Sequence, residues 1–354
     1  MTASASNRPQ IPIIAVTTGD PAGIGPEIVA RLFSAHVPER SAAVLIGAPS
    51  AFGPWLERTG LECPISASPD EALDLAGAAA GRIVILHTGV EDDFPIGADS
   101  AGGGRHAGRA IELALGLANN RAVDGIVTAP ISKKSLNLAE FRFTGHTEML
   151  AHYLKAPDCQ MMMVHRSLRV VPLTRHLALG EVAGHVTTEA IFTCVRVTAR
   201  ALEEDFGVEA PRLGLTGLNP HAGDGGVIGS EEQEIIAPAI RALRGEGLDV
   251  EGPFAGDGLF PIAYREIQSG VARGRFDAYI AMYHDQAMIP FKMLSQYRGV
   301  NVTVGLPVVR TSVDHGTAYD LAGKGKAEIE SLREAYRLAE ELCRQRARAR
   351  RKGA

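Results

Sequence analysis

Short apolar runs recur along this chain, each closed by glycine, proline or a small polar residue and followed by a stretch with helical spacing. The first runs from Ile11 to Thr18 and stops at Gly19. GDPAGIGPE then leads into IVARLF, with Glu27 in the first turn, so the unit reads as strand, glycine loop, helix. Strands are expected again at AAVLIG, RIVILH, DGIVTAP, QMMMVH, LRVVPL, RLGLTGL, DAYIAMY and VNVTVGL, with helices at segments such as GRAIELALGLANN and EEQEIIAPAIRALRGEG. Strands alternating with helices predict a largely parallel, doubly wound α/β architecture. GADSAGGGRHAG, near residue 100, interrupts the pattern and reads as a mobile glycine loop.

A chain of 354 residues exceeds what one core usually serves, so two α/β lobes are expected. Neither a repeat nor a low-complexity linker marks their border. The best division makes one lobe from both termini, residues 1–140 with 305–354, around a middle lobe of residues 141–304.

Hydrophobic residues make up 45% of the chain, and the net charge of −5 is spread along it. Neither nucleic acid nor an anionic membrane is an expected partner. The tail RQRARARRKGA is basic, but no aromatic residue accompanies its arginines, and it reads as a solvated extension of the last helix. Cys63, Cys159, Cys194 and Cys343 lie far apart with no C-x-x-C pair, which argues against a zinc ribbon or a disulfide framework and for a reducing cytoplasm. MTASASNRPQ lacks the features of a signal peptide and reads as a short disordered tag. No segment approaches the roughly eighteen apolar residues of a membrane span.

The densest polar chemistry lies between residues 282 and 326, in MYHDQAMIPFKMLSQYRGVNVTVGLPVVRTSVDHGTAYDLAGKGK. There His284, Asp285, Lys292, Asn301 and Arg310 alternate with apolar runs, and polar groups at the ends of buried strands need partners such as an anion or a metal. His176 in LTRHLAL, His221 in LNPHAGDGG and His284 in MYHDQ each follow an apolar strand where the chain turns. Imidazoles from three strand ends suit a divalent metal with positions left open for substrate. With 11 histidines in the chain, ordinary loop or core imidazoles are the competing explanation. Asp285 suits either orienting a ligand or capping a helix. In TGHTE, His146 and Thr147 stand where a helix begins, a setting for phosphate or carboxylate, although Thr147 also fits a plain N-cap. Lys292, Asn301 and Arg310 add charge and hydrogen bonds for a small anionic substrate, Arg310 with a bidentate grip.

No G-x-G-x-x-G occurs, so the usual Rossmann fingerprint is absent. GDPAGIGPE and HGTAYDLAGKG nevertheless resemble the GDGIGPE and HGSAPDIAGKG elements of isopropylmalate and isocitrate dehydrogenases, which bind NAD(P) without that fingerprint. The resemblance implies an isocitrate/isopropylmalate dehydrogenase-like fold of two doubly wound α/β/α lobes. It places NAD or NADP against the second loop, with His315, Gly316, Thr317, Asp320 and Gly323 as cofactor contacts.

Taken together, GDPAGIGPE, TAPISK, FTGHTE, LNPHAGDGG, AMYHDQ, GVN, GLPVVRTSVDHGTA and LAGKGKA resemble the 4-hydroxythreonine-4-phosphate dehydrogenase family of the pyridoxal-phosphate pathway, over residues 19 to 327. The resemblance implies a homodimer with its sites in the cleft and at the dimer interface. Each site would hold a divalent cation (zinc, magnesium or cobalt) on His176, His221 and His284 drawn from both chains. It implies substrate contacts at His146, Thr147, Lys292, Asn301 and Arg310, and site-stabilising carboxylates at Asp257 and Asp285. The implied reaction oxidises 4-phosphooxy-L-threonine with NAD or NADP, after which the β-keto acid loses CO2 to give 3-amino-2-oxopropyl phosphate. Lys292, Asp285 and a water on the metal are open as proton acceptor. Two places depart from the family wording: Gly258, where threonine often follows the aspartate, and Arg175 with Gly180 in TRHLALG. Sister enzymes acting on 4-phospho-D-threonate or 4-phospho-D-erythronate fit the same residues. A metal-dependent phosphate-ester hydrolase or a phosphometabolite-binding protein would use the histidines and the anion grip, but has no need of HGTAYDLAGKG.

Overall fold

The computed structural model describes residues 11–143, 145–271 and 273–352; the N-terminal tag and Thr144 of FTGHTE lie outside the described residues. Two compact units are present, a terminal one of Met1–Ala156 with Leu306–Arg344 and a middle one of Pro157–Gly305 with Gln345–Ala354. The leading segment supplies β1 (Ile13–Thr17), β2 (Ala42–Gly47), β3 (Ile65–Ser66), β4 (Ile83–His87) and β5 (Gly125–Thr128). The middle segment supplies β6 (Gln160–His165), β7 (Leu168–Pro172), β8 (Arg212–Thr216), β9 (Asp249–Phe254), β10 (Ala278–Ala281) and β11 (Val300–Val304). The chain then returns to the terminal unit with β12 (Val309–Val313).

In the terminal unit the strand order is β3-β4-β2-β1-β5-β12 and every pairing is parallel. β1 and β2 are buried at every residue, as strands covered on both faces must be. The middle unit has the order β11-β6-β7-β10-β8-β9, in which β7, β10, β8 and β9 run parallel while β6 is antiparallel to both neighbours. The sheet is largely parallel as expected, with β6 the exception. QMMMVH and LRVVPL are joined by Arg166 and Ser167 alone, far too short for a crossover, and Arg166 at φ 53 makes the tight turn.

Only the first four residues of GADSAGGGRHAG are loop. Its glycines open the helix Ala101–Asn119, and the Ser100 hydroxyl oxygen caps that helix by accepting Gly103 N–H at 3.0 Å. Glycine is required because the helix passes against backbone: a Cβ on Gly104 would stand 1.9 Å from Ser135 O, and one on Gly102 2.0 Å from Asp93 O. Gly104→Ala is therefore expected to destabilise the protein by about 1–3 kcal/mol through overpacking. The check is a lowered urea midpoint at unchanged slope; an unmoved midpoint would mean the helix can shift away.

The basic tail is only in part a solvated extension. It continues the helix Glu330–Lys352, and the buried Arg346 holds Asp205 with two bonds, Nε to Oδ1 and Nη2 to Oδ2 at 2.7 Å. In the middle unit Met161, Met163, Val170, Phe260, Phe276 and Phe291 belong to one core, which seats the helices Gly256–Gln268 and His284–Ser295. The second of these helices begins at His284.

Candidate active site

His176, His284 and His221 follow β7, β10 and β8, which are consecutive parallel strands. The register pairs Ala281 with Pro172 and Ile280 with Leu215, so the three C-terminal ends lie side by side, about 4.8 Å from strand to strand. This is the end at which α/β sheets build sites. Leu173 N–H donates to Ala281 O at 2.8 Å, and Thr174 gives its N–H (3.2 Å) and its hydroxyl (2.8 Å) to Met282 O, locking β7 to β10. Gln286 does the same between β10 and β8. Its Oε1 accepts Met282 N–H at 2.7 Å and the Thr216 hydroxyl at 2.8 Å, while Nε2 donates to Gly217 O at 2.9 Å. Sequence reasoning missed Gln286, whose one signal was its place in the MYHDQ block.

The His176 and His284 rings lie 5.8 Å apart between centroids. His284 Nδ1–H donates to Asp285 Oδ1 at 2.7 Å, and its side chain keeps 39% exposure. Asp285 thereby holds the tautomer in which Nε2 carries the lone pair, the form a metal-ligating imidazole needs. It does not cap the helix, whose N-cap is Tyr283 without a side-chain bond. His221 sits in a turn where His221, Ala222 and Asp224 take φ of 55, 53 and 44, a run that needs support. The buried carboxylate of Glu232 provides it: Oε1 accepts the N–H groups of Leu218 and Asn219 at 2.7 Å each, and Oε2 accepts from Asn219 Nδ2 at 3.0 Å. Glu232 was also missed, since nothing in EEQEII distinguishes it from its neighbours. Among the described residues no group of three or more His, Cys, Asp or Glu is gathered to hold a metal ion. Two imidazoles and an orienting carboxylate fit part of such a site, and His221 occupies the neighbouring strand end.

A second group forms within the terminal unit. Arg310 lies on β12 in register with Ile126 of β5, is 2% exposed, and donates from Nη2 to Thr128 Oγ1 at 2.7 Å. His146 opens the helix His146–Tyr153, whose N-cap is Gly145, so Thr147 lies inside the first turn and is not the cap. Burial, and then the charge of Arg310, hold His146 well below its ordinary value, which keeps the ring neutral at pH 7. Its Nε2 is buried without a hydrogen-bond partner. A buried cation beside an unsatisfied neutral imidazole and first-turn N–H groups suits an anion or a hydroxyl.

In the middle unit Asn301, on β11, likewise keeps a buried Oδ1 without a partner. Lys292 is exposed on the helix His284–Ser295, and Asp257 is exposed in the first turn of the helix Gly256–Gln268. Arg175, beside His176, has Nη1 buried without a partner.

After β12, residues 314–329 form a loop without helix or strand. Gly316, Asp320 and Gly323 are exposed on it, Thr317 is half-buried, and the half-buried His315 keeps Nδ1 3.0 Å from Gly316 O. Ile24 N–H donates to Thr317 O at 3.0 Å and Tyr319 O–H to Asp20 Oδ2 at 2.8 Å, so GDPAGIGPE and HGTAYDLAGKG form one structure.

A family profile described as pyridoxal phosphate biosynthetic protein PdxA matches residues 41–339. The chain is 42% identical over 347 residues to a 4-hydroxythreonine-4-phosphate dehydrogenase of Erythrobacter litoralis, spanning 97% of this chain and 99% of that protein. It is 41% identical over 342 residues to a D-threonate 4-phosphate dehydrogenase of Cupriavidus necator, spanning 95% and 99%. Among solved structures, a 4-hydroxythreonine-4-phosphate dehydrogenase of Klebsiella pneumoniae superimposes with a TM-score of 0.81 at 35% identity, covering 96% of this chain and 100% of that one.

Proposed function

The chain belongs to the family of the pyridoxal phosphate biosynthetic protein PdxA, and on that premise we propose that it oxidises 4-phosphooxy-L-threonine with NAD or NADP and yields 3-amino-2-oxopropyl phosphate and CO2. It is an NAD(P)-dependent dehydrogenase acting on a CH–OH group with decarboxylation. That membership stands against the hydrolase and binding-protein alternatives.

The observation that carries the residue assignment is the placement of His176, His284 and His221 on three consecutive strand ends, with Asp285 orienting His284. These histidines would hold the divalent cation, zinc, magnesium or cobalt, which when bound lowers the pKa of the substrate alcohol and takes up enolate charge. Arg310, His146 and Thr147 bind the anionic end of the substrate, and the unsatisfied Asn301 Oδ1 accepts a substrate N–H or O–H. A grip remote from the reacting carbon holds that carbon in line with the nicotinamide. Asp285 is committed to His284, which leaves Lys292 as the side chain to take the alcohol proton, and Asp257 would supply a further carboxylate to the site when the cation is bound. His315, Gly316, Thr317, Asp320 and Gly323 line the dinucleotide.

Identities of 42% and 41% to enzymes named for two different substrates make whole-chain similarity neutral between them, so kinetics decide. By NADH absorbance, kcat/KM for 4-phosphooxy-L-threonine is expected to exceed that for 4-phospho-D-threonate by about tenfold or more, within the range a single polar contact discriminates. The reverse ratio would assign the chain to the threonate branch.

The working form is a homodimer. Its support is an apolar stripe on the helix that starts at His284, with Ile289 60%, Met293 73% and then Tyr297 83% exposed. Met293→Glu is expected to give an inactive monomer by light scattering; a variant that stays dimeric and active would remove this face from the interface. None of the four cysteines is in a disulfide, in keeping with the cytoplasm, and among the described residues no helix is long and apolar enough to cross a membrane.

A further inference from the structure

GDPAGIGPE has so far no task of its own, yet it meets the dinucleotide loop at both ends. At the near end Ile24 donates to Thr317 O, and Gly23 comes so close that a Cβ there would stand 2.6 Å from the same oxygen. Tyr319 Oη then lies 2.8 Å from Asp20 Oδ2, 3.1 Å from Asp99 Oδ1 and 3.2 Å from Ser135 Oγ, and the Ser132 hydroxyl donates to Asp99. Asp20 is completely buried, and its second oxygen accepts Ala22 N–H at 3.0 Å. At the far end Glu27 Oε1 accepts Ala327 N–H at 2.8 Å, while Arg31 Nη1 donates to Ala327 O and lies 3.1 Å from Glu27 Oε1. A carboxylate and a guanidinium one turn apart on the helix Gly25–Ala35 thus grip both backbone groups of a single residue. Between the two clamps the loop forms neither helix nor strand; short-range turns bridge it, with Leu321 N–H donating to Ala318 O at 2.9 Å, Ala322 N–H to Tyr319 O at 3.3 Å and Lys324 N–H to Leu321 O at 3.2 Å, and it carries Asp320 and Gly323.

We propose that Asp20, Glu27 and Arg31 are positioning residues for the dinucleotide. They set the shape of residues 317–327 before the cofactor arrives, so that binding does not carry the entropy of ordering the loop. The inference rests on HGTAYDLAGKG being the cofactor loop. Its reporter is built in. The single tryptophan, Trp55, lies beside the loop, 4.0 Å from where a Cβ on Gly325 would stand, and its neighbour Arg58 donates to Gly323 O at 3.2 Å.

The test titrates metal-replete protein with NAD+ and with NADP+, following Trp55 fluorescence, and separately with the phosphorylated hydroxy acid by calorimetry. Arg31→Ala and Tyr319→Phe are each expected to raise the dinucleotide Kd by about five- to twentyfold and leave the hydroxy-acid Kd within about twofold, as loss of preorganisation at one ligand predicts. Arg31→Lys, which can still reach the Ala327 carbonyl, is expected to recover most of the affinity. Wild-type dinucleotide affinity in both variants would overturn the inference alone, as would a parallel loss of both ligands, the mark of general loosening. Wild-type protein that binds neither NAD+ nor NADP+ would overturn the functional reading and this inference with it.

Discussion

His284→Ala is expected to lose its divalent cation and roughly 1000-fold or more of kcat while remaining folded. The side chain is 39% exposed and its hydrogen bond goes to its own neighbour Asp285, so its removal opens no core cavity and leaves a carboxylate that water can solvate. What disappears is one of two imidazoles in ring contact on adjacent strand ends. Asp285→Asn separates ligand from orienter: the amide can no longer accept as a charged group and leaves the His284 tautomer less fixed, so metal affinity should fall by only about 10- to 100-fold. Metal content after gel filtration, read beside circular dichroism and kcat, checks both variants. An active, metal-replete His284→Ala enzyme would remove this histidine from the site.

Arg310→Met is expected to cost about 2–4 kcal/mol in kcat/KM, roughly 30- to 1000-fold, with the loss concentrated in substrate affinity. The guanidinium is 2% exposed, so its charge is poorly screened and any anion it meets is held strongly. Methionine matches the length of the stem and replaces a buried charge, a change that cores commonly tolerate. The variant should therefore remain folded, and its His146, relieved of a neighbouring cation, should titrate higher than in the wild type, although burial still holds it low. Substrate calorimetry and histidine NMR measure the two effects. Unchanged substrate affinity would move the anion site elsewhere.

Arg310 also shows where the sequence was hardest to read. β12 is VRTSV, buried at all five residues, but arginine, threonine and serine break the apolar run that marks a strand, and it was not among the expected strands. The strand's polarity comes from Arg310, Thr311 and Ser312, all buried. The placement of the three histidines at neighbouring strand ends was legible because each follows an apolar run. Gln286 and Glu232 were not, because a buried polar side chain acquires its role only when distant strand ends and turns lie beside it. Gly102 and Gly104 misled in the opposite direction: glycine suggested freedom where a close approach of backbone demanded it. Arg166 and Ser167 turned an expected crossover into a hairpin by their brevity.

The central claim is that this chain is a metal-dependent dehydrogenase of a phosphorylated hydroxy acid, and chelator-stripped protein given 4-phosphooxy-L-threonine with NAD+ or NADP+ tests it most directly. The account predicts no reduced nicotinamide until zinc, magnesium or cobalt is restored, and then reduced cofactor and CO2 in equal amounts. Release of inorganic phosphate without any reduced cofactor in the metal-restored protein would contradict it.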